Sequence, residues 1–397
     1  MSVVRSISKE KKIVYCKKCV NPSTRPRLKF NANGICEPCQ NSKTKYLHID
    51  WNERKKFLKK LLNKYRSKDG SYDIIVPASG GKDSFFVAHK LKYEYGMNPL
   101  CISWAPSLYT DIGLTNLLKF TDQFDTIIYR PNRDLHGKLT RIGFEFYGDP
   151  LCTWTMGQQV VPLKTAIKYK IPLIMYGEDF DTEYGGKKIK KKALAEDIKL
   201  KIENINIRFK FNTHVGVNAL FYLGINKKII NKNLKTKSKG LLDLYRLPTS
   251  KEYKSNKIVS CFFSNYEKWV PHHNFYYASE KCGFIPRDTR ASGTYTKSTS
   301  LDDKIDELYY YMQYIKFGFG RCTTEACNDI RDDIISREEA VRLVNLYDKE
   351  FPHTHYEACL SYMDIDAAKF SKIVDKFRSP NIWKKKKDIW EQNFTLK

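Results

Sequence analysis

Short apolar runs separated by helix-length stretches mark the middle of this chain. Asp73-Ile-Ile-Val-Pro-Ala78, Leu100-Cys-Ile-Ser-Trp104, Asp125-Thr-Ile-Ile-Tyr-Arg130 and Ile171-Pro-Leu-Ile-Met-Tyr176 are short and nearly uninterrupted, so each predicts a buried strand. Helices are expected from Phe85 to about Tyr95 and from about Gln159 to Tyr169. Strands alternating with helices predict an α/β fold with a doubly wound parallel sheet, which binds ligands at the strand carboxyl ends. Farther on, Leu301, Ile305, Leu308, Met312 and Ile315 recur at helical spacing and predict an amphipathic helix. Ser300 with Asp303, and Ser336 with Glu339, have capping-box spacing. Asp302, Asp303 and Asp306 suit the dipole at that helix start without any ligand. Three regions follow: residues 1–48, an α/β domain over 49–235, and a mainly helical part over 236–397.

The longest uncharged run, Phe211–Asn226, contains Asn, Thr, His and Gly. It is shorter than the roughly 20 apolar residues a spanning helix needs, so it reads as a buried element with no membrane span. Met1–Tyr15 has lysines but no apolar core of a secretory signal, which makes a cytoplasmic location the expectation. The 42% hydrophobic and 29% charged residues exclude a wholly disordered or fibrous chain.

The net charge of +26 admits nucleic acid, an anionic membrane surface or anionic small substrates as partners. The basic residues are 53 Lys and 17 Arg, however. Arg leads in bidentate phosphate recognition, whereas Lys supplies non-directional charge. No specific nucleic-acid partner is therefore expected, and Lys187–Lys192 reads as a solvated face.

Eleven cysteines in such a chain point to a metal or to reduced thiols. Cys16-x-x-Cys19 and Cys36-x-x-Cys39, separated by 16 residues, have the spacing of a tetrathiolate zinc ribbon. With all four positions occupied by Cys, a structural Zn²⁺ is expected, and its binding would supply much of the folding energy of residues 1–48. Cys322 and Cys327 read as helix-packing thiols.

The strand ending at Ala78 runs directly into Ser79-Gly80-Gly81-Lys82-Asp83-Ser84 and then into a helix. Glycines here let backbone amides approach an anion at a helix N-terminus. The string is neither a Walker loop nor G-x-G-x-x-G. It resembles the PP-loop of the ATP pyrophosphatases, which split ATP between its α- and β-phosphates. The resemblance implies that Ala78, Ser79, Gly80, Gly81 and Ser84 cradle the pyrophosphate. Lys82 would neutralise it, and Asp83 would contribute to Mg²⁺ binding. Trp104 ends the second strand, where this superfamily seats adenine. Glu178, after the last expected strand, lies on the same rim and is expected to hold Mg²⁺ or orient substrate.

Longer strings extend the resemblance over roughly Cys16 to Trp383. They include Trp104-Ala-Pro-Ser-Leu-Tyr-Thr-Asp-Ile-Gly113, Gly148-Asp-Pro150, Glu183-Tyr-Gly-Gly186, Gly293-Thr-Tyr-Thr296 and Tyr314-Ile-Lys-Phe-Gly-Phe-Gly-Arg321. They are similar to the N-acetyl sugar amidotransferase family of bacterial surface-glycan pathways, which make O-antigen or the pseudaminic and legionaminic acids. Asp179 stands where that family would carry an amide residue. The resemblance implies ATP, Mg²⁺ and Zn²⁺ as cofactors and a nucleotide-activated N-acetyl sugar as substrate. Asp149, Glu183, Tyr184 and Arg321 become substrate-side candidates, Arg321 because its fork matches phosphate or carboxylate. His272 and His273 are either catalytic or partly exposed loop residues.

The implied reaction converts an acetamido group into an acetamidino group through an O-adenylyl imidate, which ammonia then attacks. Residue 2 is Ser and no cysteine lies in a G-x-C-x-G turn, so the chain shows no glutaminase nucleophile. The resemblance agrees, implying a separate glutaminase with a barrel partner as the ammonia source. A tRNA-thiolating or other tRNA-modifying PP-loop enzyme is the alternative, but only isolated Cys101 and Cys152 lie in the α/β region to handle sulfur. A zinc-ribbon nucleic-acid-binding protein with a decayed nucleotide fold conflicts with the intact S-G-G-K-D-S.

Overall fold

The computed structural model describes residues 13–185, 200–201 and 242–397. The basic stretch Lys187–Lys192 and the run Phe211–Asn226 lie outside the described residues. Two helices, α1 (Glu37–Leu47) and α2 (Trp51–Tyr65), precede the sheet. Asp50 starts α2, its carboxylate accepting from the amides of Asn52 and Glu53. The chain then alternates: β1 (Ile74–Pro77), α3 (Lys82–His89), β2 (Pro99–Trp104), α4 (Asp111–Thr121) and β3 (Thr126–Tyr129). Next come α5 (Arg133–Tyr147), α6 (Cys152–Tyr169), β4 (Leu173–Tyr176) and the short α7 (Phe180–Tyr184). A π-helical turn over Lys90–Glu94 prolongs α3.

All four expected strands form and pair in parallel, with Ile74 opposite Pro99 and Cys101 opposite Thr126. Beyond them lie β5 (Leu200–Lys201), α8 (Ser250–Asn256) and β6 (Val259–Phe262). The sheet order is β3-β2-β1-β4-β6-β5, parallel except for β5. The parallel sheet thus does not end at β4, and it crosses the boundary expected at 235/236. Val-Ser-Cys-Phe is too short and too polar to stand out as a strand, and pairing with the open edge of β4 settles its conformation.

Side chains of the central strands alternate between two layers. Ile74, Val76, Cys101, Leu173 and Met175 pack on one face with α2 and α3, while Ile75, Leu100, Ile102, Trp104 and Ile174 pack on the other with α5 and α6. Each fully buried aliphatic side chain contributes roughly 1.5–3 kcal/mol of transfer free energy. The two layers hold the strand carboxyl ends in one rigid rim.

The C-terminal part contains α9 (Pro271–Cys282), α10 (Ile305–Phe317), α11 (Arg321–Arg331), α12 (Arg337–Tyr347), α13 (Tyr356–Met363) and α14 (Ala367–Lys376). A hairpin of β7 (Trp383–Lys386) and β8 (Ile389–Gln392) follows. The expected apolar stripe of α10 is buried, with Ile305, Leu308, Met312 and Ile315 packed on α13 and α14. Ser336 caps α12 through the Glu339 amide at 3.1 Å. Ser300 caps nothing: it sits at φ +51°, and α10 begins at Ile305. Asp303, just before the Lys304 N-cap, accepts from the amides of Ile305 at 3.0 Å and Leu108 at 3.1 Å. The longer reach of the carboxylate ties the loop after β2 to the start of α10. Among the described residues, no helix is long and apolar enough to cross a membrane.

Candidate active site

The two C-x-x-C turns bring their four sulfurs within 4.8 Å of one another, all buried at the start of α1. Cys16 and Cys39 sulfurs are 4.0 Å apart, and those of Cys19 and Cys36 are 3.7 Å apart. A tetrahedral ion about 2.3 Å from each thiolate requires sulfur–sulfur edges of about 3.8 Å, so the cage fits such a metal. The Cys36 and Cys19 amides donate to Cys16 Sγ at 3.3 and 3.5 Å, which would stabilise thiolate charge.

After β1 the chain turns through Ala78–Gly81 into α3. Gly80 has φ +83°, and a Cβ there would lie 2.7 Å from the Leu117 backbone, so only glycine fits between the loop and α4. Gly81 is the N-cap of α3 and offers its first amides no side-chain acceptor. Amides at such a helix start can receive an anion. Ser84 Oγ braces the turn by donating to the Gly81 carbonyl at 2.8 Å. Lys82 pairs with Asp83 at 2.5 Å, and Asn274 of α9 donates to the other Asp83 oxygen at 2.9 Å. Ser79 accepts the Gly81 amide at 3.2 Å and bonds the Asp302 carboxylate. Asp302, expected to serve only the dipole of α10, therefore belongs to the surroundings of the Ser79–Ser84 loop.

Glu178 follows β4 on the same rim. Removal from water, reinforced by Asp83 and Glu183, raises its pKa to about 7, while the Tyr184 hydroxyl donates to it at 3.1 Å. Lys82, Asp83, Glu178, Tyr184 and Arg321 together line a cleft of about 270 Å³. Arg321 is held by Glu325 at 3.1 Å and by the Tyr310 hydroxyl at 3.0 Å. Its helix start is fixed from behind: Asp348 accepts the Gly320 and Thr323 amides at 2.8 and 2.9 Å.

Residues 264–397, which supply most of the cleft's lining, match the family described as LPS biosynthesis protein WbpG-like, C-terminal domain. This part of the chain is similar to that domain. The match bears out the resemblance read from the C-terminal strings. An uncharacterized protein of Methanocaldococcus jannaschii is 28% identical over 120 residues, 30% of this chain and 43% of that relative. This chain thus spans less than half the length of the curated relative it matches. Among solved structures, the U34-tRNA thiolase NcsA from Methanococcus maripaludis, with its 4Fe–4S cluster, is similar at 15% identity. That similarity covers 85% of this chain and 90% of the thiolase at a TM-score of 0.27.

Of the expected loop residues only Lys82 and Asp83 line the cleft; Ala78, Ser79, Gly80, Gly81 and Ser84 do not, nor do Trp104, Asp149 and Glu183. Trp104 is 3% exposed, because the alternation of β2 turns it onto α6; a Cβ at Gly157 would lie 2.0 Å from its ring. Asp149 shapes the α5–α6 turn by accepting the Leu151 amide at 3.0 Å. Glu183 faces away toward Lys45 of α1, at 3.5 Å. Asp179 caps α7 through the Asp181 amide at 3.2 Å, a task a carboxylate performs as well as an amide side chain.

The cleft also holds residues that sequence reasoning did not single out. Arg25, from the loop between the cysteine pairs, reaches Thr324 of the WbpG-like domain at 3.4 Å and lies over the Tyr184 ring. Nothing local in the sequence marks it. Thr324, Glu325 and Asn328 follow Arg321 at i+3, i+4 and i+7, a polar stripe on one face of α11 that was legible in the spacing. His272 and His273 lie in the first turn of α9, not in a loop. His272 lines the cleft, whereas His273 is exposed.

Proposed function

We propose that the protein is an ATP-dependent, AMP-forming amidotransferase that converts the N-acetyl group of a nucleotide-activated sugar into an acetamidino group for surface-glycan biosynthesis. The supporting observation is one cleft lined both by Lys82, Asp83 and Glu178 and by Arg321 of the WbpG-like part. An amide is a poor electrophile. Attack of its oxygen on the α-phosphorus of ATP expels pyrophosphate and creates an O-adenylyl imidate, from which ammonia displaces AMP. Such a step needs positioning and charge neutralisation rather than a protein nucleophile.

In this reading the loop amides of Ser79–Ser84 and Lys82 hold the departing pyrophosphate. Asp83, with Glu178 and Asp302 beside it, suits Mg²⁺, which when bound neutralises charge on the phosphates. Arg321 grips the phosphates of the sugar nucleotide, its guanidinium already oriented by Glu325 and Tyr310. Tyr184 steadies Glu178. The four-cysteine cage takes a structural Zn²⁺, and ammonia comes from a separate glutaminase with a barrel partner, all in the cytoplasm.

The tRNA-thiolation alternative calls for a thiol beside the adenylylated atom. Among the described residues lining the cleft none is a cysteine. Cys101 and Cys152 are buried in the sheet core, where burial pushes both thiols up. Pyrophosphate release separates the readings: UDP-N-acetylhexosamines should stimulate it and tRNA should not. Lys82→Ala and Asp83→Ala should each abolish AMP formation with the fold intact by circular dichroism. Stimulation by tRNA alone would reverse the assignment.

A further inference from the structure

His272 has a partner that fixes its chemistry. Its Nε2 lies 3.1 Å from Asp329 Oδ1, and the Tyr295 hydroxyl donates to the other Asp329 oxygen. Asp329 is only 4% exposed. With Nε2–H donated to this carboxylate, the neutral imidazole carries its lone pair on Nδ1. His272 and Asp329 line the same cleft as Lys82 and Glu178, so the imidazole borders the space next to the PP-loop. The charged groups facing it are Asp329 of α11, Asp332 just after that helix and Lys82 of α3. The Asp329 hydrogen bond lifts its pKa above the ordinary 6.5, against burial and Lys82.

We propose that His272 is the general base of the adenylylation step and that Asp329 is its positioning residue, an assignment that rests on the amidotransferase reading above. The substrate must lose its amide N–H proton as its oxygen attacks. In this step the acetamido oxygen bonds to the α-phosphorus, and the bond from that phosphorus to the bridging oxygen breaks. The amide proton passes to Nδ1, the N–H electron pair becomes the C=N bond, and the carbonyl pair becomes the new O–P bond. A neutral imidate is left beside an imidazolium–carboxylate pair. The proton then leaves to solvent with the pyrophosphate.

The test is exchange of radiolabelled pyrophosphate into Mg·ATP, driven by UDP-N-acetylhexosamines and run without ammonia, on the full chain with its metal. Omitting ammonia removes its own titration from the pH profile. His272→Gln should lose exchange by on the order of 100-fold or more, while Mg·ATP still raises its melting temperature. Asp329→Asn should keep measurable exchange with its pH midpoint moved down, since the carboxylate that raises the imidazole pKa is gone. A structural role alone would leave that midpoint in place. Wild-type exchange with an undiminished His272→Gln variant, or an unmoved midpoint in Asp329→Asn, overturns the base assignment alone. A wild type that exchanges with no N-acetyl sugar nucleotide overturns the amidotransferase reading, and this assignment with it.

Discussion

His136 shows how one buried side chain can set a pH limit on the fold. It lies on α5 at 1% exposure, with Nδ1 2.7 Å from the Tyr362 hydroxyl and its ring stacked on Tyr245. Burial lowers its pKa from 6.5 to about 4, so the folded protein keeps it neutral. The folded value lies below the unfolded one. Its contribution is therefore complete above pH 6.5 and is lost as the pH falls toward 4. At about 1.4 kcal/mol per pH unit, roughly 2 kcal/mol should disappear between pH 6.5 and 5. Urea unfolding at pH 7 and pH 5 measures this, and a His136→Gln variant should show a correspondingly flatter dependence. An equal loss in both proteins would show that other groups carry it. The same scale explains Trp104: strand alternation set its face, and burial against Gly157 made it part of the core.

At the scale of elements, the ribbon is inseparable from the domain it touches. Its buried cysteines share one apolar cluster with Cys322, Ala326, Cys327 and Ile330 of α11 and with Ala340 and Val344 of α12. That bears out the packing role read for Cys322 and Cys327. The ribbon also holds α7: Asn41 donates to the Thr182 carbonyl at 2.8 Å, and Arg27 pairs with Asp181 at 2.9 Å. A Cys16→Ser, Cys39→Ser double variant should lose one zinc per chain by elemental analysis. Its pyrophosphate release should fall as well, because α7 carries Tyr184 and follows directly on Glu178. Unchanged metal content would remove these cysteines from the site.

For the molecule as a whole, the eleven cysteines are all buried. Burial pushes Cys282 and Cys359 up to about 12, the reverse of the activated thiolate a glutaminase needs. The purified chain should form amidine with ammonium salts and, from glutamine, only once a glutaminase partner is added. Mass spectrometry of the sugar product reads the outcome, and efficient turnover of glutamine by the chain alone would overturn the two-protein scheme.

The glycine loop Ser79–Ser84, the cysteine quartet and the four parallel strands were decided by the sequence itself. Each is written in contiguous residues whose glycines, thiols or apolar runs leave few alternatives. Arg321 was also legible, as a directional cation after two glycines. Tertiary structure decided the rest, because the cleft is an encounter between distant segments. Arg25, Lys82, Glu178, His272 and Arg321 meet only when ribbon, sheet and WbpG-like domain pack together. Asp302 looked like a helix-dipole acid until folding placed it against Ser79. His272 looked like half of a loop pair until α9 set it against Asp329. Local pattern carries hydrogen bonding and burial over a few residues, whereas partners more than fifty positions apart are chosen by packing alone.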